Sequence, residues 1–108
     1  MSLVDLFDGI EIIDAEGAKH PVPVSGTQDY SIAEWETDKH QKLPCVVVCN
    51  NLVKAWSVEV DHMNIIFEQI MLRFAPTGEN KEFGVKLGQW HRRKRGSLIE
   101  SEFELIPV

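Results

Sequence analysis

Cysteine is scarce in this chain of 108 residues: there are two, Cys45 and Cys49. They flank Val46-Val47-Val48, an apolar run that reads as a strand. Residues four apart on a strand share a face but lie about 13 Å apart at Cα. A disulfide needs Cα atoms within about 7 Å. The strand therefore excludes an internal bridge, and reduced, buried thiols fit a cytoplasmic protein. Long apolar runs are also missing, since no stretch reaches the roughly 18–20 residues of a membrane span. Residues Met1 to Asp8 carry acids where a secretory signal carries Lys or Arg. The expectation is a cytoplasmic location and no membrane partner.

Chemical motifs are equally sparse. There is no phosphate-cradling glycine loop, no Walker pattern and no G-x-S-x-G. The four histidines, His20, His40, His62 and His91, form no H-x-x-x-H, and no C-x-x-C occurs. No metal and no cofactor is expected. Catalytic carboxylate pairs need burial and a perturbed pKa, and alternating Glu100, Glu102 and Glu104 read instead as the wet face of a strand. One thiol has an arguable catalytic setting. Cys49 ends its strand beside Asn50-Asn51, which reads as a helix N-cap, and a helix N-terminus lowers a thiol pKa. Asp61 and His62 stand near the start of that segment.

What the chain does have is core. It is 44% hydrophobic and 26% charged, ordinary values for a globular protein, and its length fits one domain spanning 1–108. Residues 9–14 read as a strand, 15–17 as a turn, and 20–24 as an extended edge strand or an irregular return, because its prolines cannot donate ladder hydrogen bonds. Thr27 to His40 reads as a short helix with a ragged apolar face of Tyr30, Ala33 and Trp35. Leu43 to Cys49 is apolar on both faces, as an interior strand is.

The stretch 52–74 carries conflicting periods. Val53, Trp56, Val60, Met63, Phe67, Ile70 and Phe74 are spaced three and four apart, a helical stripe. Trp56 to Val60 alternates as a strand does. A helix over about 62–74 is expected, stopped by Pro76 and Gly78, with 52–60 open between helix and strand. Residues 82–90 and 98–106 alternate and predict a C-terminal β-hairpin. The fold class is α+β: a mostly antiparallel sheet of four to six strands, one or two helices on one face, and that hairpin at the end. An all-β fold is the rival, with 52–74 as two strands.

Charge is the strongest clue to function. The net charge is −6, yet Arg92-Arg93-Lys94-Arg95 are consecutive and follow His91. Without those four cations the remainder of the chain carries −10. The hairpin places them at its exposed tip, with Trp90 beside them. Trp next to Arg is typical of an interface hot spot, so Trp90, Arg92, Arg93, Lys94 and Arg95 are the candidate binding residues.

The leading reading is a small non-enzymatic module that binds another protein or a second copy of itself. A homodimer would set the basic tip of one copy on the acidic strand of the other. One alternative is an accessory protein that contacts nucleic acid, with Trp90 stacking on a base. The sequence pI of about 5.1 counts against it, because nucleic-acid domains usually carry a broad basic face. The other alternative is a small enzyme or ligand-binding domain with a pocket near Cys49, Asp61 and His62.

Overall fold

A computed structural model describes residues 2–14, 16–26, 34–36 and 42–108. The chain opens with a 3₁₀ helix, Leu3–Phe7, whose first turn is closed by a capping box. The Ser2 side chain accepts from Val4 N–H, and Asp5 accepts from Ser2 N–H. Strands β1 (Glu11–Ile13) and β2 (Lys19–Pro21) form a separate antiparallel hairpin. They are followed by β3 (Val24–Ser25), β4 (Glu34–Glu36), β5 (Lys42–Cys49) and β6 (Leu52–Ser57). One helix, α1 (Val60–Met71), leads to β7 (Glu79–Asn80), β8 (Val85–Leu87), β9 (His91–Arg95) and β10 (Leu98–Pro107).

Among the described residues, eight strands make the main sheet, in the order β3-β5-β6-β10-β8-β7, with β4 pairing β5 and β9 pairing β10. Every pairing in it is antiparallel except the short β3–β5 ladder. The class expected from the sequence, α+β with a mostly antiparallel sheet and a C-terminal hairpin, is the class found, with more strands than expected.

The conflict over 52–74 resolves into strand then helix. Asn50-Asn51 is the two-residue turn of the β5–β6 hairpin, with Asn50 at φ +55°, and not a helix N-cap. Val53 and Trp56 belong to β6, so they met the helical spacing of the following segment by coincidence. Helix α1 buries His62, Met63, Ile66 and Ile70, while Val60 stays exposed. The helix expected over 27–40 is replaced at 34–36 by β4, and the rest of that span lies outside the described residues.

Helix α1 lies over one face of the sheet. Its buried side chains pack with Val46, Val48, Val53, Ala55, Ile99, Phe103 and Leu105 from the strands and with Phe7, Ile10 and Ile12 from the N-terminal segment. Polar clasps fix that segment to the helix. Gln69 donates to Glu11 C=O and accepts from Glu11 N–H, and Arg73 donates to the carbonyls of Leu6 and Asp8. On the opposite face Cys45, Val47 and Trp56 form a smaller buried group with Leu98 against it. Strand β5 is therefore apolar on both sides because it is buried on both sides.

Candidate functional site

The basic run is a strand rather than a tip. His91 to Arg95 pairs residue by residue with Leu98–Glu102 of β10, leaving Gly96-Ser97 as the turn. Gly96 has φ +61°, a conformation that costs glycine little and other residues more. Beyond Trp90 the chain thus spreads its cations along a strand whose one recorded partner, among the described residues, is β10.

Alternation sorts the cations onto two faces. Arg92 and Lys94 lie opposite Ser101 and Ile99, on the side covered by α1. Arg92 Nη1 donates to Asn64 Oδ1 of the helix at 3.1 Å. Arg92 and Lys94 flank a hollow of about 290 Å³ lined by Val60, Ile99 and Arg93. Among the described residues, Lys94 has no carboxylate within ion-pair reach. Arg95 takes part in the β9–β10 ladder through Leu98.

His91 and Arg93 face the other way. Arg93 Nε is 3.7 Å from Glu100 Oε1, and Glu100 Oε2 accepts from the buried Trp56 indole N–H at 2.9 Å. Glu100 is itself only 8% exposed. Glu102 pairs with Lys54 at 3.4 Å. The acidic row expected to face solvent is a correction: Glu100 is buried, Glu102 is half-buried, and both hold cations or donors of their own sheet. Glu104 alone of the three is exposed.

Trp90 also departs from the expectation of an exposed anchor. Its indole stacks on Phe103 with ring centres 4.6 Å apart and meets Phe67 edge-on at 4.2 Å. The ring is half-buried, and its N–H is enclosed without a hydrogen-bond partner among the described residues. Such packing fixes the entry of β9 and occupies one face of the ring with Phe103. Comparison with known protein families, curated proteins and solved structures finds no match.

Just before Trp90 the hairpin changes register. Leu87 opposes Leu105 and His91 opposes Glu102, so three residues, Gly88 to Trp90, face two, Phe103 and Glu104. This is a β-bulge. Gly88 donates its N–H to Glu104 C=O at 2.7 Å, and a Cβ at residue 88 would sit 2.7 Å from that same oxygen. Glycine is required there by contact with backbone. Alternation alone does not reveal a bulge, but the glycine inside an otherwise regular strand pattern was its signal.

The residues of the second alternative site do not converge. Cys49 shares the face of Cys45 and Val47 by alternation along β5, whereas His62 lies under α1 on the other side of the sheet. His62 Nε2 is 3.5 Å from Glu59 Oε2, its Nδ1 has no hydrogen-bond partner among the described residues, and Asp61 is exposed. Among the described residues, neither cysteine is in a disulfide. Among the described residues, no three His, Cys, Asp or Glu side chains are grouped to hold a metal ion, and no helix is long and apolar enough to cross a membrane.

Proposed function

We propose that this chain is a small protein-interaction module of the cytoplasm whose contact surface is the basic edge strand β9. The carrying observation is that five consecutive basic residues occupy an edge strand of a chain otherwise at −10. Arg92 and Lys94 stand exposed beside an apolar hollow, and interfaces combine such polar rims with apolar floors. Trp90 serves the surface from beneath, by holding the start of β9 against Phe67 and Phe103. The net negative charge of the rest of the chain favours a protein over nucleic acid, because such a body repels a polyanion within a Debye length of about 8 Å at physiological salt.

A photo-crosslinking residue at position 94, in cells, tests this directly, with position 19 on the remote β1–β2 hairpin as the control. Discrete protein adducts at 94 that are absent at 19 are expected. Nucleic-acid adducts at 94, or the same adducts at both positions, would contradict it.

A further inference from the structure

We infer that the outer edge of β9 receives an extended acidic segment of another protein by strand addition, with carboxylates at alternate positions meeting Arg92 and Lys94. This inference rests on the protein-interaction function proposed above and specifies the partner's chemistry.

Three features lead there. The first is the open edge. In an antiparallel ladder alternate residues turn their N–H and C=O toward the neighbouring strand, and the others turn them away. Strand β9 has β10 on one side and, among the described residues, no ladder on the other. Its outward groups are a template for one more strand. Strand β7 extends the sheet beyond β8 only, so it does not cover β9.

The second is the distribution of cations between faces. Arg93 already has Glu100 beside it. Arg92 and Lys94 share the helix-side face, two residues apart, so they stand about 7 Å from one another along the strand. Side chains at positions i and i+2 of an added strand have the same spacing. Glutamate fits these positions, because its aliphatic stem would lie over Val60, which is 54% exposed, and over Ile99 at the floor of the hollow. Arg92 and Lys94 would then take the carboxylates.

The third is the exclusion of a second copy. Two β9 edges brought together would set cation against cation, which destabilises directly opposed pairs. In the acidic row of β10, Glu100 and Glu102 are already engaged by Arg93, Trp56 and Lys54, which leaves Glu104 alone exposed and no alternate pair of carboxylates there to meet both Arg92 and Lys94 of another copy. Charge complementarity thus points to a different, acidic chain.

The test is fluorescence anisotropy with a labelled peptide that alternates glutamate and threonine. Its control has the same composition with the glutamates clustered at one end. The alternating peptide is expected to bind at least tenfold more tightly than the control. Binding should weaken with salt and fall at least tenfold with R92A/K94A. A readout that leaves the protein unaltered is N-methylation of the peptide backbone at either the glutamate or the threonine positions. One set, whose N–H groups face β9, should abolish binding while the other is tolerated. Equal binding of the clustered control, equal effects of both methylated sets, tighter binding of single-stranded DNA dependent on the same two residues, or no binding of the alternating peptide at low salt would each overturn the inference. Protein adducts at position 94 with no peptide binding would retain the interaction surface and reject strand addition.

Discussion

Single residues decide the geometry of the basic strand. Gly88 is the sharpest case, since any Cβ there meets the Glu104 carbonyl oxygen. Gly88→Ala is expected to cost about 1–3 kcal/mol, the usual range for forcing atoms into a packed site, as read by urea denaturation. Glu100 is the second case. Glu100→Ala leaves the buried Trp56 N–H without its acceptor and Arg93 without its carboxylate. A loss of about 1–3 kcal/mol is expected for the orphaned donor, and Glu100→Gln, which keeps an acceptor, should recover most of it. Gly88 was legible as a glycine inside a strand pattern, whereas the role of Glu100 was not. Glu100 sits in an alternating Glu pattern identical to that of a solvent face, and its burial comes from the covered second face of the sheet, which no local pattern reports. Trp90 misled for a related reason: adjacency to Arg92 and Arg93 says nothing about which side of the strand its ring takes.

Elements were legible where one face alone is apolar. The alternation of Ile99, Phe103 and Leu105 predicts β10, and the 63–70 stripe predicts α1, because each has a single apolar side. Strand β6 buries Val53, Ala55, Trp56 and Ser57 in succession and so loses its period-two signature. The turn before it was missed because asparagine serves both helix caps and left-handed turns. At φ +55°, Asn50→Ala should destabilise the β5–β6 hairpin by about 1 kcal/mol, while Asn50→Gly should change it little. Thermal melts of the two variants distinguish these outcomes. The β1–β2 hairpin has its own organiser in Asp14, which accepts from His20 Nε2 and from the N–H groups of Glu16 and Ala18. The hydrogen bond from His20, aided by those backbone donors, holds the Asp14 carboxyl below the usual carboxylate range. A carboxyl lowered in the folded state stabilises at pH values above its ordinary pKa of about 3.9, and loses that contribution as pH falls through the lowered value. Asp14→Asn should therefore lower the melting temperature at pH 7, and the difference from wild type should shrink as the pH falls below the ordinary carboxyl value of about 3.9.

On the scale of the whole molecule, charge and topology point to the same strand. The chain concentrates its cations on β9 while its body is acidic, and the sheet order leaves β9 at an edge. Charge concentration was readable from the sequence. Edge position was not, because it depends on the pairing of β10 with β6 on one side and with both β8 and β9 on the other. Association through this edge should weaken steeply between low and physiological salt, as exposed charges are screened over about 8–10 Å.

Amide hydrogen exchange along 91–95, with and without the alternating peptide, tests the open edge most directly. In the free protein, alternate amides of β9 are expected to exchange fast and their neighbours slowly, as one-sided pairing requires. The fast set should gain at least tenfold protection when the peptide is added. Uniform protection of all β9 amides in the free protein would mean that the edge is already covered, and would contradict its use as a docking strand.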